Sequence, residues 1–238
     1  IGKILEYTGE AVRALSIDER ATLTNMAAEV GGFTGIVAPD ETTIEWLVSH
    51  RGMSRHEAEA LTSGNYSDEG AEYEWTMTID ASELQPMVAT PGDPGNGVAI
   101  DELEGDVAVD IVYAGSCTGA KWHDIEMAAE VVRKALSEGR HVPESIQAWL
   151  QYGSLEVEEF AREQGYHDLF VEAGIDVLPP GCGACINAGP GVSFDADTVT
   201  VSSINRNFPG RSGPGQVYLA SPYTVLASAF AGKIVAFE

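Results

Sequence analysis

The residues of this chain best suited to chemistry are its three cysteines. Cys117 stands alone in Gly115-Ser116-Cys117-Thr118-Gly119, and Cys182 and Cys185 form a Cys-x-x-Cys pair in Pro180-Gly181-Cys182-Gly183-Ala184-Cys185-Ile186-Asn187. A close thiolate pair with one distant thiolate is a metal-ligand pattern, and the count is informative. Structural zinc sites are closed by four protein ligands, and an electron-transfer iron–sulfur cluster takes four cysteines. Three leave one coordination position open to a substrate. The pair alone is less specific, because the same spacing serves zinc, iron–sulfur and redox dithiols. None of His50, His56, His123, His141 and His167 lies beside it at zinc-finger spacing.

Cys117 also has a rival reading. Its glycine-flanked turn fits a nucleophile elbow with cysteine in place of serine, which makes a cysteine hydrolase with His167 as base. That reading leaves the cysteine pair and a third motif unexplained, and it ranks second. The third motif, Asn205-Arg206-Asn207-Phe208-Pro209-Gly210-Arg211, places two guanidiniums close together in an acid-rich chain. Arginine's planar fork grips carboxylates bidentately, which suits a substrate carrying two or more of them. The plainer alternative is pairing with the chain's own surplus of Asp and Glu. Asn25 and Glu29 are spaced to share a helix face. From spacing alone they read as a capping amide and a solvated carboxylate.

The elements that must position these side chains read as an α/β protein. Strands are expected at Val107–Tyr113, Ala148–Tyr152, Ile175–Leu178, Thr198–Ser203 and Val217–Ala220. Three of these deliver Cys117, the cysteine pair and the arginine motif to what reads as one rim of a sheet, where α/β proteins bind ligands. Helices are expected after Gly119 (Ile125, Ala129, Val132, Leu136), at Leu155–Gln164 and Asp168–Ala173, and after a Ser221 N-cap with Pro222 at N1. In the first part, Ile4–Leu15 reads as an amphipathic helix and Ala21–Thr24 as an extended run. Gly35–Ala38 reads as a short buried strand, Asp40 as an N-cap and Ser54–Glu57 as a capping box. Tyr73, Trp75, Met77 and Ile79 alternate with polar residues as in a half-exposed strand with its aromatics in the core. The Pro/Gly-rich stretch 85–97 reads as a connection between two lobes, residues 1–90 and 91–238.

Composition narrows the function. Among 238 residues there are 13 Lys and Arg against 37 Asp and Glu, a formal net charge of −24. Such a surface repels nucleic-acid phosphates and acidic lipid, so neither nucleic acid nor membrane is an expected partner. No apolar run is long enough to cross a bilayer. Three cysteines without a secretory signal do not make a disulfide framework, which points to a reducing, cytoplasmic setting. The opening Ile1-Gly2-Lys3-Ile4-Leu5 suggests a piece of a longer polypeptide.

In combination, Gly115-Ser116-Cys117-Thr118, Gly181-Cys182-Gly183-Ala184-Cys185 and Asn205–Arg211 resemble the aconitase superfamily, in its isopropylmalate dehydratase and homoaconitase branch. Asn25-Met26-Ala27-Ala28-Glu29, Ala38-Pro39-Asp40-Glu41-Thr42 and the run from Gly213 to Lys233 extend the resemblance over essentially the whole chain. The resemblance implies two three-layer α/β/α lobes. It implies a [4Fe–4S] cluster on Cys117, Cys182 and Cys185, whose fourth iron acts as a Lewis acid in dehydrating and rehydrating a small hydroxy acid. The substrate would be of the isopropylmalate, homocitrate/homoaconitate or citrate type. Arg206 and Arg211 would hold its carboxylates, Asn205 and Asn25 would lie beside the cluster, and Glu29 near the hydroxyl. In that family a preceding N-terminal domain carries an Asp-His pair, and a swivelling domain or small subunit supplies the base. Neither is matched here, so a heteromer or a larger chain is implied. A non-catalytic iron–sulfur sensing module is the remaining alternative, and the acidic charge disfavours an RNA-binding version of it.

Overall fold

The computed structural model describes residues 2–238. Its contacts divide the chain into two units, Ile1–Leu84 and Gln85–Glu238.

In the first unit, β1 (Ile4–Glu6) pairs in parallel with β2 (Thr34–Ile36). Between them run α1 (Glu10–Ala14) and α2 (Ile17–Met26), and after them α3 (Glu41–Arg51) and α4 (Arg55–Thr62). Helix starts follow the capping chemistry. Asp40 accepts from the Thr43 amide and Ser54 from the Glu57 amide, as expected, and Ser16 with Glu19 forms a further capping box. Arg20, almost fully buried, makes a bidentate pair with Asp40, Nη1–Oδ1 and Nη2–Oδ2 both 2.8 Å, and donates to the carbonyls of Leu15 and Arg13. This one side chain ties the end of α1 to the start of α3.

Several expectations for this unit are corrected. Ile4–Leu15 is not one helix. Gly9, at φ 111°, separates the strand from α1 with a backbone conformation that only glycine adopts easily. Ala21–Thr24 is helical, because the Ser16 box starts α2 earlier and carries it through to Met26. Asn25 and Glu29 therefore share no helix face: Asn25 is in the last turn of α2 and Glu29 in the turns that follow. The strand at Gly35–Ala38 is shifted to β2, which is partly exposed because it pairs with β1 alone. Tyr73–Ile79 forms no strand, and Tyr73, Trp75, Met77 and Ile79 are all more than half exposed. The segment is held by polar contacts, Tyr73 Oη to Glu6 at 2.7 Å and a Lys3–Glu74 ion pair.

The second unit is a seven-stranded sheet in the order β4-β3-β9-β8-β5-β6-β7. Its strands are β3 (Met87–Ala89), β4 (Gly97–Ala99), β5 (Ile111–Gly115), β6 (Gln147–Gln151), β7 (Asp176–Leu178), β8 (Val199–Ser202) and β9 (Gln216–Ala220). The five strands from β5 to β9 are parallel, while β3 pairs antiparallel to β4 and β9. The stretch 85–97 is thus not only a connection: it supplies β3 and the turn into β4. Between and after the strands lie α5 (Ser116–Gly119), α6 (Trp122–Ser137), α7 (Leu155–Glu163), α8 (Tyr166–Glu172) and α9 (Pro222–Ala231).

Strand alternation sorts the sheet's two faces. Val112, Ala114, Ala148, Leu150 and Val201 pack with Ile125, Ala129, Val132, Phe170 and Val225 of α6, α8 and α9. Tyr113, Trp149, Val217 and Leu219 point the other way, against Ala184, Cys185, Val192 and Ile204. The helices thus cover one face, and the loops carrying the sulfur and arginine motifs cover the other.

The chain runs outward from β5 through β6 to β7, then returns to β8 on the other side of β5 and continues to β9. Adjacent parallel strands whose connections leave in opposite directions open a crevice at their carboxyl ends. In this protein that crevice lies between β5 and β8.

Candidate functional site

Cys117 follows directly on β5. Gly115 has φ 124°, a conformation closed to residues with a Cβ, and its missing side chain gives the main chain of Gln151 on β6 room to lie close. Ser116 is left-handed at φ 69°, unusual for a non-glycine residue. The turn is clamped by Ser203, just past β8. Its Oγ accepts from the Gly115 amide at 2.9 Å and donates to the Gly119 carbonyl at 3.3 Å. Cys117 itself is exposed.

Cys182 and Cys185 follow β7. A 3-10 turn over Gly183–Ile186 joins them, closed by the Cys185 amide on the Cys182 carbonyl at 3.0 Å. Cys182 is exposed and Cys185 buried. Ser212 donates to the Ala184 carbonyl at 2.7 Å, pinning this turn to the segment that ends the arginine motif.

The arginine motif closes over Cys185. The Cys185 thiol lies 3.6 Å from Asn205 Oδ1, and Arg211 Nη2 lies 3.5 Å from the same sulfur. The sulfur thus faces one donor, the guanidinium, and one acceptor, the amide oxygen. Asn207 is structural: its amide donates to the carbonyls of Thr90 at 2.7 Å and Val217 at 3.1 Å, bracing the motif against β9. Beneath the pair, burial pushes the Tyr113 hydroxyl up to about 12; the Ala184 backbone hydrogen bond pulls it down, and the Cys185 and Cys182 sulfurs raise it further.

The motifs follow the parallel strands expected of them, Cys117 after β5, the arginine motif after β8 beside it and the cysteine pair after β7, with β6 between β5 and β7. Their sulfurs do not converge as a single-ion site does. Among the described residues, no three His, Cys, Asp or Glu side chains are close enough to hold a metal ion. A four-iron cluster takes each thiolate on a different iron, so its three ligands need not meet at one point. Two further observations fit a group bound here. Ser116 Oγ, next to Cys117, and Arg211 Nε, beside Cys185, are buried with no hydrogen-bond partner among the described residues. Buried polar atoms without partners are costly and call for an explanation. The chemistry of the set, three thiols with the Arg211 guanidinium donating to one of them, suits an iron–sulfur group with one corner left open.

The hydrolase reading fails on geometry. In an elbow the nucleophile occupies the strained position, whereas here that position is Ser116. His167 Nδ1 is engaged with Tyr152 Oη at 3.1 Å, and Cys117 Sγ lies 3.9 Å from Thr118 Oγ1. Arg206 is half-buried just past β8, next to Asn205. Asn25 and Glu29 lie in the first unit, Asn25 exposed and Glu29 half-buried. Sequence reasoning missed Ser203, Ser212, Tyr113 and Gln151. The register of neighbouring strands marks Tyr113 and Gln151, while Ser203 and Ser212 lie outside the strands and carry no local signal.

Comparison with known proteins settles the family. The aconitase family (aconitate hydratase) matches over residues 1–107 and 103–232. The chain belongs to the aconitase family. Among its relatives, the 3-isopropylmalate dehydratase large subunit 1 of Methanopyrus kandleri is 40% identical over 232 residues, which is 97% of this chain and 52% of that protein. The large subunit of the same enzyme from Campylobacter fetus subsp. fetus is 40% identical over 98% of this chain and 53% of its own length. Large subunit 1 of Pyrococcus furiosus is 38% identical over 99% of this chain and 53% of its own. The chain thus spans about half the length of the curated relatives it matches.

Proposed function

We propose that this chain is the cluster-holding part of a [4Fe–4S] hydro-lyase that dehydrates and rehydrates a hydroxy di- or tricarboxylate of the isopropylmalate, homocitrate/homoaconitate or citrate type. The observation that carries this is the contact of Arg211 Nη2 with the Cys185 sulfur at 3.5 Å, between the segments that follow β8 and β7, with Cys117 just past β5 on the same parallel sheet in a chain of the aconitase family.

Cys117, Cys182 and Cys185 hold the cluster. When bound, it supplies a Lewis-acidic iron that makes the substrate hydroxyl a better leaving group. Arg206 and Arg211 grip the substrate carboxylates, the planar fork fixing their orientation, and Asn205 holds the polar edge of the pocket next to Cys185. Asn25 and Glu29 are further catalytic candidates, on the strength of the family resemblance alone. Dehydration removes hydroxide from one carbon and a proton from its neighbour, and rehydration returns both with the positions exchanged. The base for the proton comes from a partner, a small subunit or swivelling domain. The part of the large subunit that this chain does not span is a second partner. Tyr73, Trp75, Met77 and Ile79, all exposed in a row, support a covering polypeptide of that kind.

The test is binding and turnover by the cluster-loaded chain. A hydroxy diacid binds the loaded wild type, and Arg211→Ala and Arg206→Ala each weaken binding about tenfold or more, from the loss of a charged hydrogen bond worth about 1.5–3 kcal/mol. Turnover, followed by ultraviolet absorbance of the unsaturated acid, appears only when the small subunit and the remaining half are supplied. Equal affinity in both arginine variants overturns the substrate assignment.

A further inference from the structure

Gln151, the last residue of β6, touches both cysteine turns at once. Its main chain lies opposite Gly115 in the β5–β6 ladder, immediately before the Cys117 turn. A Cβ on Gly115 would run into the Gln151 carbonyl, so the two backbones are held as close as glycine allows. Its side chain, 6% exposed, turns to the other motif. Gln151 Nε2 donates to the Pro179 carbonyl at 3.0 Å, on the approach to Cys182. Gln151 Oε1 accepts the hydroxyl of Tyr113 from β5, and the Tyr113 oxygen is hydrogen-bonded in turn by the backbone of Ala184, between the paired cysteines. Gly183, at φ 47°, sits directly on this junction, where a Cβ would overlap both the Tyr113 hydroxyl and Gln151 Oε1.

Backbone atoms on both sides of Cys182 are thus strapped to one buried amide, and that amide's own main chain fixes the turn before Cys117. We propose that Gln151, acting with Tyr113, is the positioning residue that sets the separation between Cys117 and the Cys182–Cys185 pair. The inference rests on the cluster assignment above. Gln151 touches neither substrate nor metal, and its contribution is to keep the third thiol within reach of the other two.

Cluster retention tests this beside a readout that needs no iron. After anaerobic reconstitution with iron and sulfide, the loaded wild type is challenged with an iron chelator and cluster loss is followed by absorbance. Gln151→Leu, which removes both hydrogen bonds of the side chain, loses its cluster about 10–100-fold faster, the usual cost of losing a residue that orients ligands. Phenylarsine oxide, which needs only the Cys182–Cys185 dithiol, binds the apo forms of both proteins within about threefold of each other, because the 3-10 turn closes on itself. Gln151→Glu keeps the acceptor for Tyr113 and falls between the two, a graded rescue that general destabilisation does not produce. Should Gln151→Leu not fold, Tyr113→Phe removes the same junction with a smaller change and is expected to speed cluster loss likewise. Wild-type cluster retention in the folded variants overturns the proposal, as does a comparable loss of phenylarsine oxide binding. Failure of the wild type itself to load a cluster overturns the functional reading instead.

Discussion

Gly183 shows how closely the cysteine pair is fitted to the sheet beneath it. Its φ of 47° and the lack of room for a Cβ against Tyr113 and Gln151 both require glycine. Gly183→Ala is expected to cost about 2 kcal/mol or more, from left-handed strain plus displacement of the turn. Urea denaturation checks this, and an unchanged midpoint contradicts it. Ser116 is the opposite case, a non-glycine residue held at φ 69° beside Cys117. Ser116→Gly should raise stability by about 1 kcal/mol if only strain is relieved. A loss of cluster retention in that variant would show that the buried Ser116 hydroxyl is needed by the bound group. At this scale the candidate residues were legible, because cysteine spacing and clustered arginines are visible in one dimension. Gln151 and Tyr113 were hidden among ordinary strand residues. Their importance comes from being opposite a glycine or beneath a turn, which only strand register determines.

Among the elements, helix starts were legible and short strands were not. Asp40 and Ser54 cap where expected, because a cap is a local bargain between one side chain and an amide a few residues on. β1 and β2 are three residues each and exist by pairing with one another across the intervening helices. No local pattern announces that. The parallel strands of the second unit were legible as apolar runs ending in chemistry, since a sheet buried on both faces leaves such runs. The element most exposed to a single change is the α1–α3 junction. The hydrogen bond from Arg20 holds the Asp40 carboxyl below its ordinary range, with the Thr43 and Thr42 amides adding to it against the cost of burial. A carboxylate depressed in the folded state adds stability above its unfolded pKa of about 3.9. That stability is lost as pH falls through the lower folded value. Asp40→Ala at neutral pH leaves a buried guanidinium unpaired and should cost about 3 kcal/mol, at the low end for a buried pair because Asp40 is partly exposed. Thermal melts of wild type and variant should converge as pH is lowered. A constant difference down to low pH contradicts the assignment.

Over the whole molecule, apolar burial is uneven. Apart from Ala27 and Ala58, the fully buried apolar residues lie in the second unit, while Val30, Phe33, Trp75 and Ile79 of the first are exposed. Trp75→Ser should therefore change the stability of this chain by less than about 0.5 kcal/mol, whereas Ile125→Ala in the sheet–helix core should cost about 3 kcal/mol. Chemical denaturation read separately for the two units distinguishes them. Reading Tyr73–Ile79 as a core strand failed because periodicity reports a face that wants covering, and not what covers it. No helix among the described residues is long and apolar enough to cross a membrane, and the net charge of −24 suits an acidic surface facing water.

The central claim is that three thiols from the ends of β5 and β7, strands of one sheet, share one iron–sulfur group. Anaerobic reconstitution of the apo chain with iron and sulfide, quantifying both together with the absorption and paramagnetic signals, tests it most directly. The expected result is a single cluster per chain in the wild type and none in Cys117→Ser. Preferential uptake of one zinc per chain, or full cluster loading in Cys117→Ser, contradicts it.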